Sequence, residues 1–302
     1  MTNLVKLSVT LSLIFSINNV YADREAFEST YVPLAPEKIV IQNASIYDGD
    51  GGEFFETDVL VEDGKIIAIG KDLPFSNEFR VIDATGKWVT PGIIDIHSHM
   101  GVYPAPGVRT SSDGNEATSP VTADVWAEHS IWVQDPQYAL ALTGGVTAFH
   151  ILPGSANLIG GRGVTVKNLQ RVTINSMKFP DAPHSLKMAC GENPKRVYGN
   201  RGQAPSTRMG NAAGYRKSWI QAEGYLRRLN EYEEKSDEAK ELEYAPTRDL
   251  EMETLAGVLK GEILVHNHCY RADEMATMID IAKEFNYKIT AFHHGVEAYK
   301  IA

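Results

Sequence analysis

Short apolar runs separated by turn residues dominate the chain between residues 38 and 90. The pair Asp63-Gly64, for example, lies between the β-rich runs 58–61 and 66–69. An Asp-Gly pair between two such runs is a strong hairpin signal. This pattern predicts a small β-sandwich segment within residues 23–90.

From residue 91 onward, apolar strands alternate with helical segments. The predicted strands cover residues 93–96, 146–152, 164–166, 185–190, 262–268 and 287–294. The predicted helices cover residues 136–143, 214–260 with a break at Pro246, and 273–285. Glycine-rich or polar loops are predicted at 101–120 and 154–163, where we expect substrate specificity to reside. Strands that alternate with helices indicate a parallel α/β sheet.

Composition narrows the class of protein. The 302 residues are 43% hydrophobic and 23% charged, enough for one large domain or two smaller ones. The formal net charge of -10 argues against a nucleic-acid partner, because proteins that bind nucleic acid carry basic faces. The two cysteines, Cys190 and Cys269, are too few for a disulfide framework. A single bridge between them is compatible with an oxidising compartment.

Residues 1–22 have the pattern of a signal peptide. Lys6 precedes an apolar stretch over 7–17, and Val20-Tyr21-Ala22 supplies small residues at the positions that a signal peptidase reads. The stretch is short for a bilayer span, so we expect no stable membrane span, although an uncleaved anchor is the alternative. The sequence thus predicts an exported protein, periplasmic or extracellular, whose mature chain starts near Asp23.

Histidines stand at the ends of three predicted strands. These pairs are His97 and His99, His266 and His268, and His293 and His294. In a parallel barrel all carboxyl ends of the strands lie on one rim, so distant residues converge there. Imidazole is the commonest metal ligand in proteins, and the pattern therefore predicts a shared metal site.

A hydrolytic metal site also needs an anionic ligand. Glu192 and Lys187 are the alternatives that the sequence offers between the first and second histidine pairs. Lys187 can serve only as a carbamate, because an ammonium group repels a cation. Tyr103 and Arg162 are further candidates for substrate contacts, although ordinary loop structure is the favoured explanation for each.

Several stretches of the chain resemble a known family. The stretch 91–99, Pro-Gly-Ile-Ile-Asp-Ile-His-Ser-His, resembles the amidohydrolase superfamily of metal-dependent hydrolases, and 186–199, 265–275 and 291–302 resemble its exported, imidazolonepropionase-like branch. The resemblance implies a (β/α)8 TIM-type barrel with a flanking β-sandwich and one or two divalent metal ions, zinc above all. It implies as metal ligands His97, His99, Glu192, His266 and His294, with Lys187 as the alternative to Glu192. His268 and His293 are then the catalytic or substrate-facing candidates.

The sequence also departs from that family. The family has an aspartate at the end of strand eight that binds metal and acts as general base, whereas this sequence ends at Ala302, just past the sixth predicted strand. Residues 91–302 are therefore expected to form an incomplete, apparently truncated barrel of about six strands, with an exposed apolar edge.

The expected function is hydrolysis of a C–N bond in a small linear or cyclic amide, including a peptide-like one, with a metal-activated water. The alternatives are amino-sugar deacetylation, ring deamination, or a catalytically inactive metal-binding fragment. A homo-oligomer is left open.

Overall fold

The computed structural model describes residues 27–302, so the predicted signal peptide lies outside the described residues. The first part of the described chain forms a five-stranded sheet in the order β3-β2-β1-β4, with β5 paired to β1. Its strands are β1 (Ile39–Tyr47), β2 (Glu53–Glu62), β3 (Lys65–Gly70), β4 (Arg80–Asp83) and β5 (Trp88–Val89). Within residues 27–302 this β segment forms a single sheet.

The hairpin between β2 and β3 follows directly from its turn residues. Asp63 and Gly64 both adopt positive φ angles, 52° and 72°. Two consecutive positive φ angles are typical of the type I′ turn, whose twist matches that of the strands it joins. The hairpin predicted from the Asp-Gly pair is therefore present, and it places β2 antiparallel to β3.

The second sheet has six strands in the order β11-β10-β9-β8-β7-β6. These strands are β6 (Ile93–Ser98), β7 (Val146–Ile151), β8 (Ile159–Lys167), β9 (Ser185–Ala189), β10 (Leu264–His268) and β11 (Ile289–His293). The sheet is strongly curled. This curl is shown by His97 on one edge strand and His293 on the other, whose Nδ1 atoms lie 2.7 Å apart. The predicted incomplete barrel of about six strands is thus confirmed.

The expectation of a purely parallel sheet is wrong at β8, which runs antiparallel to both β7 and β9. Only the short segment 152–158 connects β7 to β8, and a parallel connection needs a crossover of a dozen or more residues. The predicted loop 154–163 is also too long, since residues 159–163 belong to β8. Its glycines allow close packing: a Cβ on Gly163 would lie 2.6 Å from Ser185 Oγ.

The helices are α1 (Gln137–Thr143), α2 (Glu192–Gly199), α3 (Arg208–Glu233), α4 (Asp237–Leu242), α5 (Leu250–Lys260) and α6 (Ala272–Glu284). The main core packs α3, α5 and α6 against β8, β9 and β10, whereas α1 packs on β7 through Tyr138 and Phe149. The main core joins fully buried residues of the helices and strands, among them Trp219, Leu255, Val265 and Ile281. Within residues 27–302, none of the helices combines the length and the apolarity needed to cross a membrane.

A disulfide joins the carboxyl ends of β9 and β10. Cys190 and Cys269 are bonded, with 5.2 Å between their Cα atoms. The Cys190 backbone N–H also donates to His268 O at 2.8 Å, which continues the strand pairing past the end of β9. The bridge that the sequence left open is therefore formed, and it lies at the rim that carries the histidines.

Candidate metal centre

Histidine rings from three strands touch one another inside the curled sheet. His293 links the two sides: its Nδ1 lies 2.7 Å from His97 Nδ1, and its Nε2 lies 2.8 Å from His266 Nδ1. His97 Nε2 in turn lies 3.3 Å from His99 Nε2. Because side chains alternate along a strand, these residues all point to the concave face of the sheet. The curl of the sheet, not sequence proximity, brings them together.

His294 joins the same cluster by an unusual backbone conformation. Consecutive residues of a strand point to opposite faces, so His293 and His294 would normally diverge. His294 instead adopts a φ of 57°, in the left-handed region. Its ring centroid lies 4.8 Å from that of His97 and 4.5 Å from that of His268. Non-glycine residues held in this region are concentrated at functional sites.

The two candidates for the anionic ligand occupy very different positions. Lys187 on β9 is fully buried, pairs in register with His266 on β10, and donates from Nζ to Pro153 O at 3.0 Å. Burial lowers the pKa of Lys187 to about 7. Glu192 begins α2 beyond the end of β9 and is exposed, and within the described chain it makes no hydrogen bond to the clustered histidines. The structure therefore brings Lys187, and not Glu192, up to the histidine rings.

Burial keeps the clustered imidazoles neutral. It lowers the pKa of His97 to about 2, with the Lys187 charge the next cause, and the pKa of His266 to about 4. Burial likewise lowers the pKa of His268 to about 3 and that of His293 to about 4. Neutral imidazole is the form that binds a metal ion.

The ring nitrogens of these histidines are chemically suited to bind a divalent ion. His99 Nδ1 donates to Leu152 O at 2.8 Å, which leaves the Nε2 lone pair of His99 directed at His97 Nε2. Two nitrogens bound tetrahedrally to zinc at about 2.0 Å are separated by about 3.3 Å, the separation of this pair. A carbonyl that holds the other ring nitrogen is the usual support of a metal-binding histidine.

Metal ligation nevertheless stays a prediction. Across residues 27–302, no group of three or more His, Cys, Asp or Glu side chains has a geometry that could hold a metal ion. Among these rings, His97 and His266 each direct Nδ1 at His293.

One histidine beneath the cluster was missed by the sequence analysis. His150 on β7 is buried, and its ring centroid lies 4.6 Å from that of His266. Its Nδ1 and Nε2 lie 2.9 Å and 2.8 Å from the hydroxyls of Thr165 and Ser185. With both nitrogens engaged, His150 forms a supporting layer under His266. The sequence feature that could have revealed His150 is a histidine within the largely apolar run 146–152.

A cavity of about 540 Å³ adjoins the centre at Pro153 and is lined by Trp126 and His129 among others. Tyr103 lies beside the histidines: its ring packs edge-on against that of His99, with 5.7 Å between the centroids. Arg162 faces away from the centre, because its Nε donates to Thr254 Oγ1 on α5 at 2.8 Å. Of the two suggested substrate contacts, Tyr103 alone lies beside the centre.

Known proteins were compared with this half-barrel, whose concave face gathers histidines around a buried lysine. No protein-family model matches the chain. It is 36% identical over 271 residues to the amidohydrolase tasK of Hapsidospora irregularis, covering 84% of this chain and 27% of tasK. Over 74 residues it is 46% identical to a dihydroorotase of Lactobacillus helveticus, covering 24% of this chain and 16% of that protein.

A solved structure supports the same assignment. The crystal structure of an amidohydrolase from Thermotoga maritima MSB8 superposes with a TM-score of 0.79 at 40% identity, covering 87% of this chain and 66% of that one. The chain belongs to the amidohydrolase superfamily, a family of enzymes. It spans about a quarter of the length of tasK.

Proposed function

We propose that this protein is a metal-dependent hydrolase of C–N bonds in small linear or cyclic amides, including peptide-like ones. The observation that carries the proposal is the contact of imidazoles from β6, β10 and β11 around a fully buried lysine. The relatives named amidohydrolase and dihydroorotase support the same class of reaction. Zinc is the ion that an imidazole-rich donor set favours.

Lys187 is the residue proposed to supply the anionic ligand, after conversion to a carbamate. The neutral amine adds to CO2, so that an N–C bond forms and one proton leaves the nitrogen. Burial favours this step because it lowers the pKa of Lys187 to about 7 and leaves much of the amine uncharged near neutrality. The product is an anion beside His266, where Glu192 does not reach.

The remaining proposed ligands are His97, His99, His266 and His294. A bound divalent ion lowers the pKa of water and polarises the scissile carbonyl. His293 orients two of these rings, since its nitrogens lie within hydrogen-bond distance of His97 and His266. A neutral imidazole carries one proton, so His293 donates at one contact and accepts at the other. We assign His268 and His293 as the side chains that lie beside the bound substrate and shape its surroundings.

Metal analysis of two matched variants tests the ligand set. Lys187→Met should lower bound zinc strongly, because it removes the only side chain proposed to supply an anion. Glu192→Gln, which changes an exposed carboxylate three residues beyond β9, should retain zinc. Retention by Lys187→Met together with loss from Glu192→Gln would reverse the assignment.

An amide panel tests the reaction itself. Purified protein, extended by any residues that the coding region encodes beyond Ala302, would be loaded with zinc and bicarbonate and incubated with cyclic amides, dipeptides, N-acetyl amino sugars and amino-substituted rings. We expect release of amine or ring opening from the amides and dipeptides, with none from His97→Ala. Turnover confined to the amino sugars or the rings, or zinc binding without any turnover, would overturn the proposed substrate class.

We also propose that the protein acts outside the cytoplasm. The signal-peptide pattern over residues 1–22 supports this, and so does the Cys190–Cys269 bridge, because disulfides persist in oxidising compartments. Cell fractionation and N-terminal sequencing of the expressed full chain test the proposal. A mature chain that begins near Asp23 in the exported fraction is expected, and an intact Met1 in the cytosolic fraction would contradict it.

A further inference from the structure

His268 has both ring nitrogens engaged by side chains from outside the histidine cluster. Its Nδ1 lies 2.9 Å from Ser155 Oγ, and its Nε2 lies 3.2 Å from Asn193 Nδ2. An amide nitrogen only donates, so Nε2 of His268 accepts. The single proton of the neutral ring is then on Nδ1, where the Ser155 hydroxyl accepts it. These two contacts set the orientation of the ring and its tautomer together.

Ser155 is held in place by the loop that also serves the metal centre. This loop, residues 152–158, presents the carbonyls of Leu152 and Pro153 to His99 Nδ1 and Lys187 Nζ at 2.8 Å and 3.0 Å. Ser155 follows two residues later and reaches His268 on β10. The same short segment thus contacts side chains from β6, β9 and β10.

Three contacts fix the turn that leads into Asn193. The disulfide joins Cys190 to Cys269, the residue directly after His268. Asn211 Nδ2 on α3 donates to Gly191 O at 2.8 Å. Gly191 has a φ of 71°, and a Cβ there would collide with the carboxylate of Glu274 on α6. The backbone leading to Asn193 is therefore fixed relative to the end of β10.

We propose that Ser155 and Asn193 are positioning residues that hold His268 as a fixed polar ring beside the reacting groups and keep it from binding metal. A ring with both nitrogens engaged has no free lone pair for a metal ion. The ring centroid of His268 lies 4.5 Å from that of the proposed ligand His294, so its orientation bears directly on what a substrate meets. The consequence for turnover rests on the proposed function, whereas the orientation itself does not.

The test is the tautomer of His268, measured by long-range 1H–15N NMR on the full chain labelled with 15N-histidine, both chelator-treated and zinc-loaded. The His268 signals are identified by their loss in His268→Gln. In the unaltered protein we expect the Nδ1–H form in both preparations. Asn193→Asp should invert it to Nε2–H, because a carboxylate accepts where the amide donated. Asn200→Asp, at the other end of α2, is the matched control and should leave the Nδ1–H form in place.

Ser155→Ala should broaden or shift the His268 signals, and Ser155→Thr should restore them because it keeps the hydroxyl. Circular dichroism and the melting temperature check that each variant is folded. On an amide substrate, Asn193→Asp should lower kcat about 100-fold, the order of loss expected when a group beside the reacting atoms is misplaced, with KM and zinc content unchanged.

An Nδ1–H signal that persists in Asn193→Asp would overturn the proposal, and so would loss of zinc from His268→Gln. The tautomer measurement on chelator-treated protein needs neither metal nor substrate. Failure of the proposed function would leave the inversion intact, so the two failures can be told apart.

Discussion

Replacing Lys187 by methionine should stabilise the protein at neutral pH and remove a specific pH dependence of its unfolding. The side chain is fully buried, and its pKa falls from the ordinary 10.5 to about 7 because burial penalises the ammonium form. A shift of this size corresponds to about 5 kcal/mol of folding free energy, at 1.36 kcal/mol for each unit. Methionine has a similar shape and carries no charge to desolvate.

The direction of the pH dependence of stability follows from how many protons the folded and the unfolded states bind. Between pH 7 and about 10.5 the unfolded chain binds a proton at Lys187 and the folded protein does not. Stability therefore rises with pH through this window, by about 1.4 kcal/mol for each unit, and the full penalty applies below pH 7. Loss of the hydrogen bond from Nζ to Pro153 O offsets about 1 kcal/mol of the gain in the methionine variant.

Urea unfolding followed by circular dichroism, at intervals from pH 6 to pH 10, measures this difference. The protein is chelator-treated and degassed, so that neither metal nor carbamate alters Lys187. We expect the Lys187→Met variant to be the more stable by about 4 kcal/mol at pH 6, with the advantage shrinking steadily above pH 7. Lys217→Met, exposed on α3, controls for the loss of a lysine. A difference between Lys187→Met and the unaltered protein that stays constant with pH would refute the reasoning.

Three further outcomes are expected. Replacing Cys190 and Cys269 by serine opens a bridge between residues 79 apart and should cost about 2–4 kcal/mol in urea unfolding, a loss that reduction of the unaltered protein should reproduce. Because burial lowers the pKa of His266 to about 4, its ring in chelator-treated protein should stay neutral at pH 5.5 by NMR, and titration near pH 6.5 would contradict this. Ile94 on the edge strand β6 is 61% exposed, so Ile94→Lys should reduce self-association in analytical ultracentrifugation more than Ile67→Lys on β3 does, and equal effects would exclude the β6 edge as the contact.

Local patterns in the sequence were enough to predict most of the secondary structure. The Asp63-Gly64 turn, the alternation of strands and helices, and the histidines at strand ends all follow from residue preferences and side-chain periodicity, which act over a few residues. The direction of β8 was missed because it depends on the length of the connection 152–158, and the glycines that mark loops also permit close strand packing.

The choice between Lys187 and Glu192 shows what the sequence left undecided. Each residue stands near the end of the same predicted strand, and only the fold shows one buried at the histidines and the other exposed on a helix. The support given by His150 and the contacts of Ser155 and Asn193 are likewise absent from any local pattern. The sequence by itself determined which side chains are available for chemistry and the strands that carry them. The tertiary structure decided which of them meet, because burial and through-space contact depend on how the sheet curls.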